Sequence, residues 1–460
     1  MTADTAVIVL AAGRGTRLRS DTAKVLHRAA GRSLLGHVLA AVRPLELAQV
    51  LVVVGHQADA VQAEVTANDL PGATTVEQRE QLGTGHAVSV ALPALEPAVR
   101  RVLILPGDTP QLTTATLAGL LAAGVGEHRG GALLTARMPD PTGYGRIVRA
   151  ADGTVERIVE HRDAGPAELA LDEINAGMYL LDRDRLDAAL ARLGTDNAQG
   201  ELYLTDVVEL LAGDGAPLAP VEVTAGEVAG VNDRAQLADA GTALRHAHLR
   251  RLMVEGGVSV MDPATTYVDV DVEVAPDAEL LPGTILEAGT RIGPRAVVGP
   301  NSHLTACTVG ADATVHSTRA AGAVIADRAT VGPFAHLRPG TELGVGSKIG
   351  AFAETKNARI GDGSKIPHLA YVGDATIGRG VNLACGVITV NYDGRNKAHT
   401  TIEDGAFVGC DTMLVAPVTI GAGAYTAAGS TITEDVPAGA LAIARSRQTT
   451  KPGWAERRQE

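Results

Sequence analysis

Up to about Val231 the chain alternates short, uniformly apolar runs with longer amphipathic stretches. "AVIVLAA", "VLVVVGH", "RVLILPGD" and "ALLTARM" are rich in Val, Ile and Leu, and their lengths suit strands buried on both faces. Between them, stretches such as "LLGHVLAAVRPL" have helical length and period. The alternation predicts an α/β domain over residues 1–231, Rossmann-like, with a mainly parallel sheet whose ligands bind at the carboxyl ends of its strands. Residues 232–256, "NDRAQLADAGTALRHAHLRRLMVEG", read as a long connector helix closed by glycine.

Beyond it, over residues 257–460, aliphatic residues recur every sixth position: Leu280, Leu286, Ile292, Val298, Leu304; Val331, Leu337, Leu343, Ile349; Ile360, Ile366, Val372; and Ile402, Val408, Leu414, Ile420, with Ile432 in phase. That is the hexapeptide signature of a left-handed parallel β-helix, in which three units make one turn of a triangular prism with the aliphatic residue inside. A heptad repeat has the wrong period. The phase breaks near Val309 and Ile377, and the polar tract "NYDGRNKAHT" reads as a loop projecting from the prism.

A chain of 460 residues has room for two domains or more. Its formal net charge of −13 argues against nucleic acid or an anionic membrane as partner, so an anionic substrate must meet local positive charge. The three cysteines, Cys307, Cys385 and Cys410, have neither disulfide-framework nor zinc spacing and fit a reducing compartment. No basic leader precedes the first apolar run and no segment approaches about 18 unbroken apolar residues, so a soluble, cytoplasmic protein is expected. Aromatic residues make up 2% of the chain, which disfavours base stacking as a recognition device.

"AVIVLAAGRGTRLRSDTAKVLH" joins a buried strand to a glycine-rich turn and a helix start, an arrangement whose backbone N–H groups favour phosphate. Arg17 and Lys24 add positive charge. Leu18 stands where the dinucleotide fingerprint needs its third glycine, and the P-loop Gly-Lys-Ser/Thr is missing, so an ordinary turn stays open as an alternative. Pro106, Gly107 and Asp108 end another strand; a carboxylate there suits Mg²⁺, although a turn aspartate is the plainer reading. Gln78 and Gln81 can both donate and accept, matching a uracil edge, beside the exposed backbone of Gly83 and Thr84. In the prism, Glu354 and Lys356 precede His368 by about two-thirds of a turn and Tyr371 follows it, so these groups can converge on one groove. A carboxylate beside an imidazole would orient it as a base, the help an ammonium needs before attacking a thioester.

Taken in order, "LAAGRGTRLRSDTAKVLH", "EQLGTGHA", "PTGYGRIV", "VEHRD", "EINAGMYL", "GVNDR", "HLRPGTEL", "GSKIPHLAYVGDATIG", "VNYDGRNK", "LVAPVTIG" and "ALAIARSRQTTKPGW" carry a resemblance over essentially the whole chain. It resembles the bacterial bifunctional N-acetylglucosamine-1-phosphate uridylyltransferase/glucosamine-1-phosphate acetyltransferases. The resemblance implies nucleotide contacts at Leu10, Ala11, Ala12, Gly13, Lys24, Gln78, Gly83 and Thr84, magnesium at Asp108 and Asn232, sugar contacts at Gly143, Glu160 and Asn175, and Arg17 activating the departing pyrophosphate. It implies His368 as the acetyltransferase base with Glu354 behind it. Arg338, Lys356, Tyr371 and Asn382 would contact the amino-sugar phosphate, with Asn391, Tyr392 and Lys397 in the loop. Acetyl-CoA would lie along Cys385, Cys410, Ala428 and Arg445. The implied substrates are glucosamine 1-phosphate, acetyl-CoA, N-acetylglucosamine 1-phosphate and UTP, and the implied assembly is a homotrimer.

The chain departs from the family pattern at Ala23, Pro106, Ala351, Cys385 and Cys410. Cys410 matters most, since a thiol replaces the usual serine and is a weaker hydrogen-bond donor. A sugar-1-phosphate nucleotidyltransferase with one activity, its β-helix serving only as a scaffold for assembly or regulation, is the alternative reading.

Overall fold

The computed structural model describes residues 2–124 and 129–458. The chain divides into two compact units, Met1–Leu244 and Arg245–Glu460.

In the first unit, strands Thr5–Leu10, Gln49–Val54, Ala73–Glu77 and Arg101–Pro106 lie parallel, with Thr5–Leu10 between Gln49–Val54 and Arg101–Pro106. Their side chains alternate between two cores. Val7, Val9, Val50, Val52, Leu103 and Leu105 enter one, packed with helices Leu34–Val42 and Thr114–Ala123. Ala6, Ile8, Leu51, Val53, Val102 and Ile104 enter the other, with helices Thr84–Ala91, Arg183–Leu190 and Asp206–Gly213. This is why the central strands Thr5–Leu10, Gln49–Val54 and Arg101–Pro106 read as apolar runs, with period two and helices on both faces, whereas the edge strand Ala73–Glu77 carries Thr74, Thr75 and Glu77.

The sheet is mixed beyond Arg101–Pro106. Strand Glu173–Asp182 runs antiparallel to both neighbours, Arg101–Pro106 and Gly131–Arg137, while Leu218–Val223 pairs with Gly131–Arg137 in parallel. A hairpin, Arg146–Arg149 with Val155–Val159, precedes the reversed strand. The pairing with Gly131–Arg137 slips between Asn175 and Tyr179, where Gly177 has a φ of +71°. A bulge of this kind re-aims the side chains around it.

A helix runs from Arg234 to Val254. Leu237, Ala240 and Leu244 pack on Ala29, Leu34 and Val231 in the first unit. In the second unit its last turns contribute Leu249 and Leu252 to the core of the prism.

That prism is a parallel β-helix whose short strands form ladders along three faces. The aliphatic residues that mark the six-residue period, from Leu280 to Ile432, are all buried in its interior. Each fully buried aliphatic side chain contributes about 1.5–3 kcal/mol. Small hydroxyl residues share the interior, and some of them are satisfied on backbone carbonyls: Thr284 Oγ1 donates to Leu281 O at 2.7 Å and Ser364 Oγ to Gly378 O at 2.6 Å. The phase breaks have a simple geometric form. Leu286 sits against Leu304 at the full three-hexapeptide spacing, but Ile292 pairs with Val309 and Val309 with Ile325, one and two residues short of it. Shortened corners absorb the loss while the interior position is kept. Ile377 pairs with Ile402 because the tract from Asn391 leaves the coil and returns as a loop, held by a Tyr392–Lys397 bridge and by Asp393 Oδ1 accepting from the N–H groups of Arg395 and Asn396 at 2.7 and 2.6 Å.

His248, on the last turns of the helix, is 4% exposed. Its Nδ1 accepts from Arg251 Nη2 at 2.9 Å, which holds the ring neutral. Burial and then the Arg251 charge push its pKa from 6.5 down to about 4, against the opposing pull of Asp271. The unfolded chain therefore takes up this proton first, so stability is full above about 6.5 and is lost as pH falls toward about 4. Going from pH 7 to pH 5 should cost the second unit about 2 kcal/mol through this group. Urea unfolding as a function of pH should show that slope in the wild type and a flatter one in His248→Leu; equal slopes would refute the assignment.

Candidate functional site

Two constellations of polar residues stand out, one in each unit. The first lies at the carboxyl ends of Thr5–Leu10 and Arg101–Pro106. A cleft of about 330 Å³ is lined there by Leu10, Ala11, Ala12, Gly13, Lys24, Gln78, Gln81, Gly83, Thr84, Pro106 and Asp108. Gly107 N–H donates to Leu10 O at 2.9 Å, stitching the two strand ends together. Gly15, at φ +59°, is required: a Cβ there would stand 2.5 Å from Lys24 Cβ. Gln78 and Gln81 spend amide N–H groups on Gly83 O at 3.1 Å and Ala12 O at 2.8 Å, which ties the cleft's far wall to the glycine loop. A larger cavity, about 660 Å³, lies around Asp4, Arg101, Arg129 and Asp182, away from all of these groups.

At the mouth of the cleft the charges converge. Lys24 Nζ forms an ion pair with Asp108 Oδ2 and donates to Asn232 Oδ1 at 2.8 Å. Arg17 Nη2 donates to the same Asn232 oxygen at 2.8 Å. Asn232 is brought there by the backbone, since Val231 N–H donates to Asp108 O at 3.0 Å. The lysine ammonium thus occupies the point between a carboxylate and an amide oxygen, a pair of hard donors that fits Mg²⁺ with remaining ligands from phosphate and water. The donor set includes only one acidic residue, in keeping with the absence, among the described residues, of any group of three or more His, Cys, Asp or Glu able to hold a metal.

Sequence reasoning missed Tyr144. Burial pushes its hydroxyl up; the Gly230 backbone hydrogen-bonds to it, and the charges of Asp108 and Arg17 act on it in opposite directions. It therefore stands beside the charge cluster, and its only sequence signal is a tyrosine in a glycine turn of an aromatic-poor chain.

The sugar-site candidates Glu160 and Asn175 come together around Gly145. A Cβ on Gly145 would stand 3.5 Å from Glu160 Oε1 and 3.7 Å from Asn175 Cβ, and Asn175 N–H donates to Gly145 O at 2.9 Å. Gly143, the third sugar-site candidate, has a φ of +85° and open space where a Cβ would stand. The motif's first glycine serves the turn and its second the close approach, a division invisible in "PTGYG". Asn175 Nδ2 donates to Tyr179 Oη at 2.7 Å and Thr205 Oγ1 to Glu160 Oε1 at 3.2 Å. Burial raises the Glu160 pKa, with Asp163 and Asp206 adding to the rise.

In the prism, one corner aligns four residues. Ala351 pairs with His368; Gly386 N–H reaches His368 O at 3.4 Å, Asp411 N–H reaches Cys385 O at 2.8 Å, and Gly429 N–H reaches Cys410 O at 2.7 Å. His368, Cys385, Cys410 and Ala428 therefore form one outward column on successive coils, and Arg445 follows beside Gly429. Across that corner, Glu354 pairs with Tyr371. Its carboxylate accepts from Arg338 Nη1 at 2.9 Å and faces His336 at 4.0 Å. The expected carboxylate–imidazole pair is not formed: among the described residues no hydrogen bond joins Glu354 to His368, because the ladder aligns Glu354 with Tyr371 instead.

Next to Arg338, Lys356 and Lys397 approach closely enough that Lys397, then Arg338, push the Lys356 pKa down. Asp374, which sequence reasoning also missed, is the counterweight. Burial would raise its pKa, but Asn357 Nδ2 at 2.6 Å, Asn391 Nδ2 at 2.5 Å and the two lysines hold it low. The Tyr371 hydroxyl and the Asn391 amide meet over Gly373, where a Cβ would come within 2.5 and 2.9 Å of them. Asn382 lies on the adjoining face, paired with Lys365 and Phe407. Tyr392 is exposed in the loop, its hydroxyl donating to Gly394 O at 2.8 Å. Lys356 and Lys397 beside the buried Asp374, with Arg338 close to Lys356, make a focus for a phosphate dianion.

Residues 7–200 match the MobA-like NTP transferase domain, and residues 399–434 match the bacterial transferase hexapeptide, six repeats. Full-length relatives match as well. The bifunctional protein GlmU of Thermobifida fusca is 53% identical over 98% of this chain and 94% of its own length. That of Streptomyces avermitilis is 50% identical over 98% and 94%, and that of Brevibacillus brevis 46% over 98% and 97%. With identity at this level across both halves, the chain belongs to the bifunctional GlmU family.

Proposed function

We propose that the chain makes UDP-N-acetylglucosamine in two steps: acetyl transfer from acetyl-CoA to glucosamine 1-phosphate on the prism, then uridylyl transfer from UTP to N-acetylglucosamine 1-phosphate in the first unit. The observation that carries this reading is that each unit has its own cationic focus, Arg17 with Lys24 in one and Arg338, Lys356 and Lys397 in the other. Each focus suits a phosphorylated substrate in a chain whose net charge is −13.

In the first unit the sugar phosphate attacks the α-phosphorus of UTP in line and pyrophosphate leaves. A phosphate monoester is already largely ionised near neutral pH, its second pKa being about 6, so positioning and charge neutralisation do the work. Arg17 and Lys24 meet the triphosphate charge, Gln78 and Gln81 bound the uracil end, and Glu160 and Asn175 orient the sugar. Asp108 and Asn232 would hold Mg²⁺, which would supply positive charge to offset that of the phosphates. Substrate binding must draw Lys24 off Asp108, freeing the carboxylate as the ammonium turns to phosphate.

On the prism, His368 takes the proton from the glucosamine ammonium, and the amine attacks the thioester carbonyl of acetyl-CoA lying along Cys385, Cys410, Ala428 and Arg445. The C–N bond forms, the C–S bond breaks, and CoA leaves as a thiolate that takes up a proton. Arg338, Lys356 and Lys397 hold the sugar phosphate, with Tyr371, Asn382, Asn391 and Tyr392 bounding it. Glu354 acts as a positioning residue through Arg338. Exposed Phe334 and Phe352, stacked at 5.4 Å, with Leu369 on the next coil, support self-association, which we read as the homotrimer. Among the described residues no helix is long and apolar enough to cross a membrane, in keeping with the cytoplasmic location we assign.

Asp108→Asn should lower uridylyl transfer by at least about a hundredfold while leaving acetyl transfer within about twofold. Separate assays of pyrophosphate release and CoA release decide this, and equal losses in both would point to misfolding and overturn the role. His368→Ala should do the reverse, cutting acetyl transfer by about 10²–10⁴-fold with uridylyl transfer retained. An unchanged rate and pH profile would reduce His368 to part of the scaffold. For Glu354→Gln we expect a higher KM for glucosamine 1-phosphate with kcat nearly kept, since the contact it makes is to Arg338. A kcat loss at constant KM would instead assign it to the base.

A further inference from the structure

Cys385 and Cys410 are neighbours on consecutive coils. On one flank Leu383 pairs with Val408. On the other, Asp411 N–H donates to Cys385 O at 2.8 Å, and a side chain on Gly386 would collide with Asp411. Both flanks share one register, so the two cysteines between them are adjacent in the ladder. Leu383, Val387, Val408 and Thr412 face the interior, whereas Cys385 is half-buried and Cys410 exposed, so both thiols point outward. Adjacent strands lie about 4.8 Å apart, within the Cα separation of about 4.4–6.8 Å that a disulfide spans. No other pair of cysteines offers this: Cys307 is buried in the core, its Sγ directed at Thr305 O at 3.3 Å.

We propose that Cys385 and Cys410 form a reversible intramolecular disulfide under peroxide, a modification that shuts off acetyl transfer and leaves uridylyl transfer running. The effect on activity rests on reading their column as the acetyl-CoA groove; the bond itself rests only on the register. Cys410, the more exposed, reacts first. Its thiolate attacks one peroxide oxygen, the S–O bond forms, the O–O bond breaks, and the departing hydroxide takes up a proton to leave as water. The Cys385 thiolate then attacks that sulfur, the S–S bond forms, the S–O bond breaks, and the sulfenic oxygen leaves as a second water. Two thiols lose two electrons and hydrogen peroxide gains them. In a reducing compartment the thiols persist and the bridge is transient, as expected of a redox-sensing pair. Once formed, it ties two coils together one step from His368 and removes both S–H donors from the groove wall.

Purified full-length chain is treated with hydrogen peroxide, alkylated, and digested with trypsin without reduction. Arg395 and Lys397 lie between the two cysteines, so the bond joins two separate peptides, 380–395 and 398–445. The expected result is that linked species, a mass loss of about 2 Da, an alkylatable Cys307 on unfolding, and acetyl transfer reduced at least about tenfold, the weight of one lost substrate hydrogen bond. Dithiothreitol should restore acetyl transfer, and uridylyl transfer should stay unchanged throughout. Cys385→Ala and Cys410→Ala, each compared with its own reduced form, should lose the linked peptide. Cys410→Ala should also lose the peroxide sensitivity, whereas Cys385→Ala keeps an oxidisable Cys410 whose oxidation proceeds past the sulfenic acid and is not restored by dithiothreitol. Failure to find the linked peptide once the exposed thiols are consumed, or a link between two chains, overturns the bond. A linked protein with full acetyl transfer, or a Cys410→Ala variant that stays peroxide-sensitive, overturns the switch. Should the reduced chain have no acetyl transfer at all, the functional reading fails while the linked peptide still decides the bond.

Discussion

The second unit depends on one constraint: every coil must return an apolar side chain to the interior over the one before it. Backbone N–H groups then meet the carbonyls of the neighbouring coil, as Arg338 N–H meets Thr355 O at 2.8 Å and Glu354 N–H meets Ala370 O at 2.8 Å. The ladder satisfies the backbone and the stacked aliphatics supply the core, so the outer surface is free to vary. The same register that stacks Leu337, Thr355 and Val372 inside also stacks His336, Glu354 and Tyr371 outside. Outer chemistry is therefore organised in columns. A residue's partners are those above and below it, and that rule separates Glu354 from His368 while aligning His368 with Cys385 and Cys410.

The first unit solves the placement problem differently. Parallel strands end on one edge, and the loops leaving that edge bring residues from distant sequence positions into one cleft. Asn232 reaches Lys24 and Arg17 across more than two hundred positions of sequence because the backbone after Gly230 is hydrogen-bonded to Asp108. The bulge near Gly177 has a comparable effect on the antiparallel strand, aiming Asn175 at Gly145 and Glu160.

Both sites balance charge internally. Lys24 pairs with Asp108, and Lys356 and Lys397 crowd one another beside Asp374 and Arg338. Like charges gathered at close range cost energy that an incoming phosphate relieves, so the crowding favours binding of a dianion. The carboxylates keep the cations in place without cancelling them.

By itself the sequence determined the two architectures, because each rests on a local period: two for strands covered on both faces, six for coils of a prism. It also marked Asp108, Lys24, His368 and Glu354 as chemistry, since these residue types stand out beside glycine turns and in an aliphatic repeat. What it left undecided were relations that depend on register and approach. Whether Gly143 or Gly145 lies at Glu160, whether Glu354 meets Arg338 or His368, that Tyr144 and Asp374 join the two sites, and that Cys385 and Cys410 are neighbours all follow from pairings across a bulge, a shortened corner or an inserted loop. Coils of unequal length shift every later alignment, so counting along the chain stops predicting contact where the phase breaks. There the backbone hydrogen bonds between coils decide which side chains meet.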